Sequence, residues 1–197
     1  MINLMRTKSA LIKNGFICEL FETKKECLEY FRHFVRKGTS VGIGGSMTIE
    51  DLGIYEDLTQ RGIETYWHWK GQWNDELAKA KNSDYYLCSA NAVTEDGLIY
   101  FVDRFGNRIS SVCYGHEKVF LFIGRNKIVK SKDEAFLRAE NIAVPLNTRR
   151  INWDIISGKR DSDIVSDEET MNLELILRAN PEGQDIYVFL INEDLGY

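Results

Sequence analysis

Two prolines in 197 residues, no CxxC pair and no long apolar run remove several classes at once. So little proline, with 28% charged residues, does not suggest disorder, and 44% hydrophobic content is enough to bury one core. The longest strongly apolar stretch, Val119–Ile123, is far shorter than the ~20 residues that span a bilayer. The opening "MINLMRTKSALIKNG" has no signal-peptide apolar region, so a soluble cytoplasmic protein is expected, with no membrane insertion. Twenty-five basic against thirty acidic residues leave no surplus for phosphodiester backbones, which argues against a nucleic-acid partner. The basic clusters, Lys127–Lys130–Lys132 and Arg149–Arg150, are short and interrupted. Cys18, Cys27, Cys88 and Cys113 are too scattered for a zinc site, so no metal is expected and the thiols are read as buried and reduced. His33, His68 and His116 are also dispersed. His68 sits among Trp67, Trp69 and Trp73, which suits aromatic packing or a contact surface better than ligation.

What the chain has is strand–helix alternation. Leu4–Lys13 reads as a helix and 16–21 as a strand. Thr23 with Glu26 forms a capping box for a helix carried by Leu28, Phe31, Phe34 and Val35 as far as Gly38. A strand at 40–43, a helix from Ser46 to about Gln60, a strand at 63–69, a short helix at 74–81 and a strand at 84–90 follow. This predicts an α/β protein: a Rossmann-like, mostly parallel sheet with helices on both faces. Beyond residue 95 the segments 98–103 and 108–115 read as antiparallel partners, a small excursion. The segment 118–124 is a central strand, 132–142 a helix, and 173–179 with 186–191 a final strand pair. Polar residues 157–170 read as a flexible segment within a single domain spanning 1–197.

Four polar clusters follow predicted strands. In "SVGIGGSMTIEDLG", Gly44, Gly45 and the N-cap candidate Ser46 lead into a helix; such a turn either rounds a corner or cradles a phosphate or carboxylate. It is neither a dinucleotide fingerprint nor a Walker sequence. In "SANAVTEDG", Thr94, Glu95 and Asp96 precede Gly97. Asp-Gly is a strong hairpin signal, and a carboxylate at a strand end also suits acid/base work. "DRFGNRISS" offers Asn107 and Arg108 to a pocket, Arg108 as an anion partner, and "GRNKIV" brings Lys127 to a strand end. Surface turns and solvated loops are the plain alternatives for each.

These motifs in order, with "VPLNTRR" and the closing "INEDLGY", resemble the LUD domain family, the lactate-utilisation domain formerly of unknown function. The resemblance covers residues 10 to 150 and the last dozen. It implies a NagB/RpiA/CoA-transferase-like fold around phosphorylated sugars or acyl-CoA, and a link to L-lactate oxidation beside iron–sulfur subunits. The expected role is therefore lactate or related organic-acid utilisation. A small anionic or phosphate-bearing ligand would sit over Gly44, Gly45 and Ser46, with Thr94, Asn107, Arg108 and Lys127 completing the pocket. Glu95 and Asp96 would be the catalytic carboxylates if the protein is an enzyme. Iron–sulfur oxidoreductase subunits are the expected protein partners; the cofactor stays unknown and a homo-oligomer stays open. A non-enzymatic ligand-sensing or assembly subunit and a sugar-phosphate isomerase or CoA-transferase-like enzyme are the alternatives. One departure is visible: relatives with a cysteine-rich segment after "PLN" resemble C-x-K-T-G-K-C-x-D-C. Here Gly158, Lys159 and Asn172 remain, while Arg160, Asp163 and Met171 stand about where the cysteines would be, so soft-metal ligands are missing from that segment.

Overall fold

Apolar side chains along the central strands alternate between two faces, and each face meets its own helices. A computed structural model describes residues 2–197. The chain runs α1 (Leu4–Lys13), β1 (Ile17–Phe21), α2 (Lys24–Phe31), β2 (Ser40–Ile43), α3 (Met47–Leu52), α4 (Ile54–Gln60), β3 (Glu64–Trp67), α5 (Trp73–Lys81) and β4 (Tyr85–Cys88). It continues through β5 (Ala92–Thr94), β6 (Ile99–Asp103), α6 (Asn107–Cys113), β7 (Lys118–Gly124), β8 (Ile128–Val129), α7 (Lys132–Arg138), α8 (Val144–Ile156), β9 (Leu173–Leu177) and β10 (Ile186–Ile191). The main sheet is parallel throughout, in the order β1-β10-β7-β4-β2-β3. Phe120 and Phe122 of β7 join Phe31 of α2, Ile49 of α3 and Leu58 of α4 on one face. Val119, Leu121 and Ile123 join Leu11 of α1, Ala80 of α5 and Val112 of α6 on the other. This two-faced burial is what a parallel sheet requires.

A smaller sheet, β8-β5-β6-β9, carries the antiparallel pairs β5–β6 and β6–β9. One side adds Val93, Ile99 and Phe101 to the core under α1. The other packs Ala92, Tyr100 and Val102 against Ala135, Ala139 and Val144 of the α7–α8 arm, where one π turn, Ala139–Ala143, joins the two helices.

Four expected elements change. Residues 108–115 are helical rather than a strand: the Asp103 carboxylate accepts the N–H groups of Arg108 (2.9 Å) and Ile109 (3.2 Å), and this caps α6. The expected 46–60 helix breaks at Gly53, whose φ of 65° ends α3 and starts α4. α2 stops at Phe31, although Phe34 and Val35 beyond it still join the core. β9 and β10 do not pair. β10 is buried on both faces inside the main sheet, between β1 and β7, while β9, exposed at Leu173 and Glu174, edges the small one. Helix α8 has no counterpart in the sequence reading. Its Pro145 stands at the first turn, where the missing N–H costs nothing. The polar stretch 157–170 is irregular except for one 3₁₀ turn, Glu168–Thr170. Asn152 holds it by exchanging two hydrogen bonds with Val165 (2.9 and 3.0 Å).

Candidate functional site: a guanidinium-lined cavity at the strand ends

Chain direction reverses at β2. The crossover to β3 uses α3 and α4 on one face, and the return to β4 uses α5 on the other. Such a reversal opens a crevice beyond the carboxyl ends of the strands. A cavity of ≈ 100 Å³ lies there. Its walls are Gly45–Met47 after β2, His68 and Trp69 after β3, Ser89–Asn91 after β4 and Lys127 after β7. The end of β6 adds Asp103, Arg104 and Phe105, α6 adds Asn107 and Arg108, and α8 with the segment beyond it adds Asn147, Arg150 and Arg160. The small sheet and the α7–α8 arm therefore close the outer side of a crevice that the main sheet opens.

The glycines serve close packing. A Cβ on Gly44 would meet the Tyr86 hydroxyl at 2.7 Å and Arg108 Cγ at 2.8 Å, and its N–H already bonds the Leu87 carbonyl (2.9 Å). A Cβ on Gly45 would press the Trp69 indole at 3.1–3.3 Å, so this glycine lets Trp69 lie over the turn. Ser46 is the N-cap of α3, its hydroxyl accepting from Ile49 N–H (3.3 Å). α3 has only six residues, so its dipole is a minor source of positive potential here.

Charge comes instead from arginine. Among the lining residues, Arg104, Arg108, Arg150 and Arg160 face a single carboxylate, Asp103, which is occupied with capping α6. Arg108 is braced from below, donating to the carbonyls of Ser89 (3.5 Å) and Val102. Arg150 stacks on Trp69 with its guanidinium carbon 4.1 Å from the ring centroid, and Arg160 stacks on Trp73 at 4.5 Å. Arg150 also bonds Asp154 (3.0 Å) and Asn147 (3.1 Å), which fixes its plane. Burial lowers the pKa of both Arg150 and Arg160. His68, 6% exposed, is pushed down to about 4, first by burial and then by Arg150, Arg160 and Arg108. Three buried nitrogens of this wall, His68 Nδ1, Arg104 Nη1 and Arg150 Nε, find no hydrogen-bond partner among the described residues. A buried donor left unpaired costs about 1–3 kcal/mol, more when charged, unless a ligand or water completes it.

Of the expected site residues, Gly45, Ser46, Asn107, Arg108 and Lys127 line this cavity, and Gly44 sits behind it. Thr94, Glu95 and Asp96 do not: this corrects the expectation of a shared crevice. They form the β5–β6 turn, closed by Gly97 N–H to the Thr94 carbonyl (2.9 Å). The Thr94 hydroxyl contacts the Asp96 carboxylate and accepts Leu98 N–H (2.9 Å). Glu95 accepts Asn3 N–H at 2.6 Å and faces Arg6 at 3.8 Å, so α1 covers it. Asp96 points into solvent. Sequence reasoning missed His68, Arg104, Arg150 and Arg160 as one group. The available signals were the Arg149–Arg150 pair and a histidine set among tryptophans. Of the cysteines, Cys18, Cys27 and Cys88 are buried and Cys113 is half-buried, and burial pushes Cys18 and Cys88 up to about 12. Among the described residues no three His, Cys, Asp or Glu side chains gather as a metal site needs. No helix among them is long and apolar enough to cross a membrane.

A mostly parallel α/β sheet with a cation-lined crevice at its switch point defines the class: a Rossmann-like α/β fold. The chain belongs to the LUD domain family, whose model matches residues 4–191. No curated protein matches it. Its fold is similar to the crystal structure of a DUF162 family protein from Deinococcus radiodurans, at 12% identity over 95% of each chain with a TM-score of 0.54.

Proposed function

We propose that this LUD-domain protein binds a small carboxylate- or phosphate-bearing ligand in the cavity, in the service of lactate or related organic-acid utilisation. One observation carries the reading: buried guanidinium nitrogens of Arg104 and Arg150 lack partners in a cavity whose lone carboxylate is already engaged. Guanidinium groups present planar pairs of donors that match carboxylate and phosphate oxygens, and stacking on indole holds them in place before the ligand arrives. The aromatic wall of Trp69, Trp73 and Phe105 limits water and strengthens each charge-assisted bond. In that role Gly45 and Ser46 form the floor, and Asn107, Arg108 and Lys127 one side. Iron–sulfur oxidoreductase subunits are the partners proposed to accept electrons from a hydroxy acid. Reduced thiols fit a cytoplasmic setting.

Calorimetric titration with phosphate, lactate and pyruvate tests this. The expected result is saturable 1:1 binding of at least one of them, weakened in Arg104→Met and Arg150→Met. Absence of binding by all three anions at low ionic strength would sink it.

A further inference from the structure

Lys127 differs in kind from the arginines around it. It lies in the 3₁₀ turn Arg125–Lys127 that leaves β7, and it is only 5% exposed although it lines the cavity. Its Nζ donates one hydrogen bond, 3.3 Å to the Ala90 carbonyl, and makes no ion pair among the described residues. The charged and titratable groups around it are Arg138, Arg108, Asp51 and Cys88. Arg138 is held by the carbonyls of Asn126 (2.9 Å) and Asn91 and cannot move away. Asp51, the one carboxylate of the group, is exposed and accepts Gly196 N–H (2.8 Å). Burial, reinforced by the two guanidinium groups, holds Lys127 well below the usual ammonium range.

A buried amine whose charged form is disfavoured adds little to anion affinity beside the guanidinium groups of the wall. What it does supply is a nucleophilic lone pair, the property that lysines gain when desolvated beside other cations. We propose that Lys127 is a reactive amine and that the cavity takes small 2-oxo acids: Lys127 captures the carbonyl as an imine while the neighbouring guanidinium groups hold the carboxylate. This rests on the anion-binding reading of the same cavity. A 2-oxo acid is the smallest molecule that offers an electrophilic carbon next to an anion. In the step, Nζ adds to the carbonyl carbon and a C–N bond forms. The carbonyl oxygen then leaves as water, carrying both amine protons, and a C=N bond remains. No electrons are gained or lost, so no oxidant or reductant is required.

Trapping tests it on the wild-type protein. Pyruvate or glyoxylate is added at pH 7 with sodium cyanoborohydride, which reduces imines to stable amines, and the product is read by intact mass and peptide mapping. The expected outcome is one adduct per chain, carried by Lys127, where trypsin then fails to cut. Excess phosphate should suppress the adduct about tenfold, and Lys127→Met should form none. Surface lysines should be modified far more slowly than Lys127. Adducts scattered over surface lysines, or calorimetric pyruvate binding with no adduct at Lys127, would overturn the inference and leave the anion site standing. If neither pyruvate nor phosphate binds, the underlying reading falls with it. Mapping the wild type decides the matter whether or not Lys127→Met folds.

Discussion

The turns at residues 44–47 and 94–97 both leave buried strands, and both carry glycine beside hydroxyl side chains. The first ends a strand of the parallel sheet where crossovers diverge, so its far side is open and bordered by residues from several other segments. The second joins adjacent antiparallel strands and bonds back on itself, and α1 seals what remains. The same residue types therefore have different prospects. A turn between parallel strands leaves room for a ligand, while a hairpin satisfies its own polar groups. Glu95 shows the point: it has the chemistry of a general base, yet its oxygens already belong to Asn3 and Arg6.

That contrast can be broken by substitution. The largest effect is expected in the hairpin. Gly97 has φ 86°, and a Cβ there would meet Asn14 Nδ2 at 2.7 Å and the α1 backbone at 3.0 Å. Gly97→Val should cost about 2–4 kcal/mol in chemical denaturation, with phosphate affinity intact in the folded fraction. A variant as stable as wild type would mean that α1 does not seal this turn.

Next comes the pH dependence of the cavity. His68 has a folded-state pKa of about 4 against an ordinary 6.5, so the unfolded chain takes up the proton first. The stability contributed by neutral His68 is complete above pH 6.5 and is lost as pH falls toward 4. The loss, on the order of 2–3 kcal/mol, is read against His68→Gln across that window. Saturating phosphate should shrink it, since an anion beside the ring favours the imidazolium. Parallel pH profiles for the two proteins would place His68 in a more polar setting than the cavity wall.

Arg150→Met should lower phosphate affinity about 10- to 100-fold, the range for losing a hydrogen bond to a charged group. Gly45→Ala should act more gently. Its methyl group would push the Trp69 ring by a few tenths of an ångström and tilt the stacked Arg150, for a loss of about 2–5-fold. Glu95→Gln closes the series. It keeps an acceptor for Asn3 N–H, so stability should change by about 0.5 kcal/mol or less and anion binding not at all. A Glu95→Gln variant that lost ligand binding would erase the distinction between the two turns.

Much of the main sheet was legible along the chain because parallel strands and their crossover helices are local, periodic units. β2, β4 and β7 show as short apolar runs, and Thr23 and Ser46 mark helix starts that cap as expected. The helix at 107–113 was not, because its cap comes from Asp103 outside the helix and its Ile-Ser-Ser-Val run also suits a strand. The partner of β9 was illegible for a related reason: strand pairing is decided across the fold, and the nearest strand in sequence, β10, is taken by β1 and β7. Five residues of the cavity wall, Gly45, Ser46, Asn107, Arg108 and Lys127, were visible in strand-end clusters. His68, Arg104, Arg150 and Arg160 come from segments that meet only when α8 folds over the small sheet.

By itself the sequence determined the α/β class, the parallel core and the order of the family's motifs, since these depend on hydrophobic period, capping residues and neighbours close along the chain. Only the tertiary structure decided which polar residues face one another. It joined four arginines around a nearly carboxylate-free cavity and turned Glu95 toward α1. The reason is physical: charge, desolvation and hydrogen-bond satisfaction depend on distance in space, and residues 45 and 150 are brought within reach of one another by packing that no local pattern records.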